Sequence, residues 1–265
     1  MTDRVRIEIK EHLAYITLTR PEQHNGVDLA MLRAVLQAQK SLGKQKQLRA
    51  VILQGEGPSF CAGLDFNSVL GKPSHALWAY LQLWWPLANK FQDWSLGWRK
   101  LPMPVIAVLH GHCYGAGLQL ALGADFRICS SATKLSLMEA KWGLVPDMGG
   151  AALIRELLPM DIAKELIMSG RIMDGSSAKN LGLVTQLSDF PLQAAEQLAA
   201  ELASRSPDAI AAGKFLLQDA WQGSLRQALA AERRWQRRIV GRTNQRIALE
   251  RNKKKTDRAF KNCRF

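Results

Sequence analysis

The chain has 265 residues, 47% of them hydrophobic, with 36 Lys and Arg against 23 Asp and Glu for a net charge of +13. That length allows one large domain, or a domain with an appendage, and is ample to bury a core without disulfide or metal staples. The composition excludes a disordered chain, a collagen-like repeat and a disulfide scaffold.

Taken in chain order, the opening MTDRVRIEIKEH is too charged for a signal peptide, and no uncharged apolar run anywhere reaches the roughly 18 residues of a membrane span. Val5, Ile7 and Ile9 alternate with polar residues, and Ala14 to Thr19 follow the turn Lys10-Glu11-His12, which predicts a hairpin. Asp28 is the predicted N-cap of a helix carrying Leu29, Leu32, Val35 and Leu36. Ala50 to Leu53 reads as a buried strand ending in Gly55-Glu56-Gly57-Pro58, with a small-residue loop from Ser59 to Leu64. Next, Trp78, Trp84, Trp85, Trp94 and Trp98 suit helices interrupted at Pro86; each is expected in the core, and as a group they could wall an apolar pocket.

Pro104 to Leu109 is a second buried strand, followed by Gly111-His112-Cys113-Tyr114-Gly115-Ala116-Gly117-Leu118. Both segments read as apolar strand, glycine, then a small-residue loop opening a helix, and such alternation favours an α/β core. Arg127 to Cys129 and Leu183 to Leu187 are predicted short strands. From Leu192 the pattern is helical, with Ala195, Leu198, Ala199 and Leu202 on one face and Pro207 opening another helix. The expected organisation is a core over residues 1–192 and a helical module over 193–265. Residues 226–265 hold 14 Lys and Arg against 3 Asp and Glu, a net +11, which leaves +2 for residues 1–225. Such a tail is ordinarily a solvated helical face; the sharper readings are a phosphate-bearing ligand or a polyanion.

Several groups could carry chemistry. Cys61, Cys113, Cys129 and Cys263 form no C-x-x-C pair and have no His at zinc spacing, so reduced thiols in a cytoplasmic setting, and no metal site, are expected. His110 and His112 flank Gly111 beside the second loop, and Tyr114 could hydrogen-bond a ligand there, although packing serves equally. Gly115-Ala116-Gly117 is not a dinucleotide fingerprint, because Leu120 stands where the third glycine belongs. It leaves N–H groups exposed at a helix start, and Leu64 after Gly63 offers another from the first loop. Two such donors aimed at one point would stabilise an oxygen anion; spacing alone favours glycines that merely permit tight packing. Glu139 and Asp147 lie in an apolar, Gly/Pro-turned stretch, where carboxyl pKa values rise and acid–base work becomes possible. Equally, Asp147 could cap a helix beginning near Gly149, and Glu139 could pair with Lys141 or Arg155.

Together these segments resemble the crotonase (enoyl-CoA hydratase/isomerase) superfamily. The likeness starts at Arg20-Pro21-Glu22-Gln23-His24-Asn25-Gly26-Val27-Asp28 and continues through Phe60-Cys61-Ala62-Gly63-Leu64-Asp65-Phe66, Gly111 to Asp125 and Glu139 to Gly150. It implies a spiral of ββα turns with a C-terminal helical trimerisation module, hence a homotrimer or dimer of trimers. It also implies an acyl-CoA thioester substrate, with no cofactor beyond its CoA, whose enolate is held by the N–H groups of Leu64 and Ala116. The CoA moiety would run past Val27, Ala62, Gly63, Asp65, Phe66 and Gly115. Phe260-Lys261, often supplied in the family by a neighbouring subunit, would meet its nucleotide end, and its phosphates would account for the basic tail.

The departures from the family pattern matter as much. Two-glutamate hydratases carry carboxylates at the positions of Gln119 and Glu139, and Gln119 can orient water but cannot exchange a proton at neutral pH. Asp147 stands where some dienoyl-CoA isomerases carry a second acid/base. It is also the position of a nucleophile in a haloaryl-CoA hydrolytic branch, whose Leu-Trp-Trp-His segment here reads Leu83-Trp84-Trp85-Pro86. The expected activity is therefore double-bond isomerisation of enoyl- or dienoyl-CoA by Glu139 alone or with Asp147, hydration of a 2-enoyl-CoA being the runner-up. From other classes, the tail admits a nucleic-acid-binding protein on an idle scaffold, though nucleic acid is not the expected partner, and a purely structural assembly protein is a third reading.

Overall fold

The computed structural model describes residues 4–265. The predicted hairpin forms as β1 (Val5–Lys10) and β2 (Leu13–Leu18), antiparallel with Ile7 opposite Ile16. Asp28 Oδ1 accepts from Met31 N at 2.6 Å and starts α1 (Leu29–Leu42), the job of an N-cap. β3 (Ala50–Gly55) runs parallel to β2 and delivers the first small-residue loop.

The tryptophan-rich segment forms α2 (Phe66–Leu70), α3 (Pro73–Gln82) and α4 (Lys90–Leu96). Trp94 and Trp98 are buried, and Trp78 packs on Phe91, but Trp84 and Trp85 are 73% and 60% exposed. Core placement fails for those two because α3 ends at Gln82 and the chain runs along the surface until the Asn89 capping box restarts a helix.

β4 (Val105–Leu109) joins β3, followed by β5 (His112–Tyr114), α5 (Ala116–Leu122) and β6 (Phe126–Cys129). Then come β7 (Lys134–Ser136), α6 (Gly150–Ile154), α7 (Met160–Ser169), β8 (Met173–Asp174), α8 (Gly175–Leu181) and β9 (Gln186–Leu187). The strand expected over Leu183 to Leu187 is confined to its last two residues. The remainder is helical: α9 (Pro191–Ala203), α10 (Pro207–Ala220), α11 (Leu225–Ile239) and α12 (Thr243–Lys254).

Six strands form one sheet in the order β1-β2-β3-β4-β6-β9, parallel except for the hairpin, and β5-β7-β8 form a second. The chain steps between the sheets from β4 to β5, β6 to β7 and β8 to β9, which winds it into ββα turns. One face of the large sheet, with Ile16, Leu18, Val51, Leu53, Val105 and Ala107, shares a core with α1, Trp94 and Trp98. The other, with Ala50, Ile52, Ile106 and Val108, is covered by Ala194, Ala195 and Ala199 of α9. Burial on both faces is why these strands read as continuous apolar runs.

Beyond α9, α10 is pinned to the core by Lys214, whose Nζ donates to Trp98 O and Met103 O at 3.2 Å each and to Asp125 Oδ2 at 2.7 Å. α11 leans on α10 through Trp235, stacked on Phe215 with ring centroids 5.4 Å apart. The final residues return to the body, with Cys263 N donating to Lys46 O and Arg264 N to Asp208 Oδ1, each at 2.9 Å. Every Lys and Arg from Arg226 onward except Arg251 is exposed, so the tail's charge is a solvated face. Among the described residues no helix is long and apolar enough to cross a membrane.

Candidate active site

Main-chain pairing draws the two small-residue loops together. Cys61 N donates to His112 O at 3.1 Å and Tyr114 N to Cys61 O at 2.9 Å, a parallel bridge centred on Cys61 and Cys113. Both thiols are buried, and burial pushes Cys61 up to about 12, so neither is a nucleophile. Behind the first loop, Val27 N donates to Gly63 O at 2.8 Å and Asp65 N to Val27 O at 3.1 Å. In a parallel bridge the flanking peptides face the partner strand while the central residue's own N–H faces away, so Leu64 N–H is turned from Val27. Gly63, at φ 106°, allows the turn: a Cβ there would lie 3.1 Å from Tyr114 O and 3.9 Å from Ala116 N. Ala116 is the first residue of α5, where N–H groups lack intrahelical acceptors. Trp94 Nε1 donates to Ala116 O at 2.9 Å and holds that residue from the core side.

Leu64 and Ala116 line one cavity of about 120 Å³, and two carboxylates, Glu139 and Asp147, line it with them. Glu139 opens a short 3-10 turn, Glu139–Trp142. Its Oε1 accepts from Gln119 Nε2 at 2.6 Å, while Oε2 is buried with no hydrogen-bond partner among the described residues. Gln119 Oε1 in turn accepts from Met148 N at 2.9 Å and Gly150 N at 3.0 Å. Gly115 sits at φ 49°, which favours glycine, and a Cβ there would be in ordinary contact with Glu139 Oε1 at 3.4 Å, so the carboxyl lies against this loop. Burial raises the Glu139 pKa; hydrogen bonds from its own main chain and from Gln119 oppose this, and the charge of Asp147 adds to it. Burial among the cavity walls raises Asp147 too, although its side chain meets solvent at the cavity mouth. Asp147 caps no helix, because the N-cap of α6 is Gly149, and among the described residues Glu139 has no ion pair with Lys141 or Arg155.

The profile of the enoyl-CoA hydratase/isomerase family matches residues 8–262. This chain belongs to that family. Methylglutaconyl-CoA hydratase of Homo sapiens is 30% identical over 86% of this chain and 68% of its own length. The Delta(3,5)-Delta(2,4)-dienoyl-CoA isomerase of Mus musculus is 31% identical over 78% and 66%. The crystal structure of an enoyl-CoA hydratase from Bacillus anthracis superposes with a TM-score of 0.89 at 27% identity, covering 97% of this chain and 99% of that one. The fold is thus the crotonase α/β fold, and hydratases and isomerases of the family resemble this chain to the same degree.

Of the residues singled out from this family pattern, Ala62, Gly63, Leu64, Phe66, Gly115, Ala116, Gln119, Glu139 and Asp147 all line the cavity. Val27 and Asp65 stand behind it. Val27 holds the first loop through its main chain, and Asp65 caps α2 through Ser68 N at 3.1 Å and pairs with Arg20 at 2.9 Å. Burial acts to raise the Asp65 carboxyl, but the hydrogen bonds from Ser68 and the Arg20 guanidinium hold it below its ordinary range. Phe260 and Lys261 are not brought to the cavity of their own chain. The Arg251 guanidinium covers the Phe260 ring at 4.8 Å, and Asn244 Oδ1 accepts from Lys261 N at 2.8 Å, which keeps both beside α12.

Met138, Trp142, Leu144, Val145 and Met148 complete the apolar wall without having been singled out, and Trp142 packs on Phe66 with centroids 4.9 Å apart. Their one signal was the apolar character of the stretch around the carboxylates. The histidines tie loops together: His24 Nδ1 and His112 Nδ1 flank Ser59 Oγ at 2.9 and 3.1 Å, and His110 Nε2 meets Gly57 O at 2.9 Å. Tyr114 packs on the His112 ring.

Proposed function

We propose that this member of the enoyl-CoA hydratase/isomerase family moves a double bond in an enoyl- or dienoyl-CoA thioester. The observation that carries the reading is Glu139: a carboxyl of raised pKa, with one oxygen unpartnered among the described residues, in the same cavity as Asp147, Leu64 and Ala116. In this reading the thioester carbonyl oxygen accepts from Leu64 N–H and Ala116 N–H. Glu139 removes a proton from the carbon next to the carbonyl, and the C–H electron pair moves onto the oxygen held by those amides. The electrons then return along the conjugated carbons, and the proton is delivered to a more distant carbon. Substrate and product are isomers, so the chemistry needs no cofactor beyond the CoA of the thioester. In a dienoyl chain the two carbons lie further apart, and Asp147 serves the second. Trp142 and its apolar neighbours hold the acyl chain, and Phe66, packed on Trp142, stands where the CoA moiety runs past. Phe260 and Lys261, being remote from their own cavity, serve the CoA of a neighbouring copy in a trimer or dimer of trimers.

Water addition to a 2-enoyl-CoA is the second reading, favoured by the hydratases among the relatives and opposed by Gln119, which brings no exchangeable proton. A panel of 2-enoyl-, 3-enoyl- and 3,5-dienoyl-CoA thioesters, read for product identity, separates the two. Bond migration is expected to exceed water addition in the wild type. Glu139→Gln is expected to lose about 10²–10⁴-fold in turnover. Asp147→Asn is expected to lose about tenfold or more on the dienoyl substrate and much less on the 3-enoyl one. Water addition equal to bond migration would hand the site to the hydratase reading, and full turnover by Glu139→Gln would overturn both.

A further inference from the structure

We infer that Gln119 is a positioning residue: two main-chain N–H groups lock its amide so that it can only donate to Glu139 Oε1, which fixes the Glu139 carboxyl in place and supports its charged, proton-accepting form. This rests on the proposed proton transfer by Glu139 and adds to it the device that orients its carboxyl and keeps it ready to accept a proton.

An amide side chain has one end that only accepts and one that only donates. Gln119 Oε1 meets Met148 N at 2.9 Å and Gly150 N at 3.0 Å. A flipped amide would set its NH₂ group against two N–H donors, so the orientation is dictated by the main chain and not by Glu139. The other end must then present Nε2 to Glu139 Oε1, as it does at 2.6 Å. Gln119 is buried, so water does not compete for either end.

One side chain therefore joins three elements. It sits in α5 behind Ala116, reaches the 3-10 turn that starts at Glu139, and holds the main chain entering α6. The segment from Glu139 to Gly150, which also carries Asp147, is tied to α5 at both ends. A donor on a carboxylate stabilises its charged form, so Gln119 opposes the effect of burial on Glu139 and favours the state that accepts a proton.

Two variants separate this role from packing. Gln119→Met keeps the length and removes the donor. Gln119→Glu keeps an acceptor for Met148 N and Gly150 N but sets a second carboxyl against Glu139 Oε1, and two such groups cannot both ionise freely. The full-length enzyme labelled with carbon-13 glutamate is titrated by NMR, with the Glu139 signal assigned by its loss in Glu139→Gln. The pH profile of kcat/KM on 3-hexenoyl-CoA is recorded in parallel.

In Gln119→Met the Glu139 midpoint is expected to rise by about one pH unit. The ascending limb of the rate profile should move with it while KM changes less than about twofold. In Gln119→Glu the midpoint should rise further and the titration split into two steps. A Glu139 midpoint within about 0.3 unit of wild type in either folded variant would overturn the inference, because a side chain that only packs would leave it there. Should Gln119→Met fail to fold, Gln119→Glu decides the matter alone. Turnover surviving in Glu139→Gln would defeat the proton-transfer reading without touching the NMR result, so the two failures are distinguishable.

Discussion

Glu139 and Lys214 are both ionisable side chains drawn out of water, and they end in opposite circumstances. Lys214 has an acceptor for each of its three protons, in Trp98 O, Met103 O and Asp125 Oδ2. Burial pulls its pKa down and the Asp125 charge opposes the fall. Glu139 has one oxygen engaged by Gln119 and the other without a partner among the described residues, and burial pushes its pKa up. A buried charge with every proton assigned fastens elements together; a carboxyl on a cavity wall with an oxygen left unpartnered is available to a ligand. By that criterion Lys214 is a fastening of α10 to the core, although it lines a cavity of about 540 Å³ there, and the cleft between the two loops and the 139–150 segment is a place for chemistry.

The strongest way to break this contrast is to measure stability where only activity should change. Glu139→Gln preserves shape and removes proton exchange, so the ~10²–10⁴-fold loss in turnover should come with a melting temperature equal to or above that of the wild type. The wild-type rate should also rise with pH through a midpoint above the ordinary glutamate range, because Glu139 must be ionised to take a proton and burial raises its pKa. A melting temperature several degrees lower for Glu139→Gln would make Glu139 a fastening as well. Lys214→Met is the reverse experiment. It removes a donor from Met103 O, leaves Trp98 O with Leu101 N alone and leaves Asp125 without its cation, for an expected loss of roughly 3 kcal/mol in urea unfolding. Its kcat/KM should stay within about threefold of wild type, and loss of turnover at unchanged stability would erase the distinction. The smallest effect belongs to Asp28→Ala, which removes the cap of α1 and should lower stability by about 1 kcal/mol on the same urea scale. A larger loss would show that the ion pair from Arg4 at 3.0 Å contributes alongside the cap.

What was legible in the sequence depended on neighbours close along the chain. The hairpin, the cap at Asp28 and the strands β3 and β4 follow from local alternation, a capping side chain and two-sided burial. Most of the cavity was legible because several motifs of one family stand in order. Gln119 was not legible in its actual role: it reads as an amide able to orient water, yet its oxygen is taken by main-chain groups 29 and 31 residues further on. Nothing in local spacing announces such a partner. Trp84 and Trp85 mislead for a related reason, since an apolar residue shows the core only when its helix continues, and α3 stops first.

The bridge between Cys61 and Cys113 gives the molecule a clock. Cys61 Sγ donates to Asn25 O at 3.1 Å, both thiols are shut away from solvent, and at Cys61 the reactive thiolate is suppressed up to about pH 12. Alkylating reagents thus have nothing to attack at this bridge until the floor under the cavity comes apart. The rate at which these two sulfurs are captured counts those openings, and any molecule that braces the two loops slows the count.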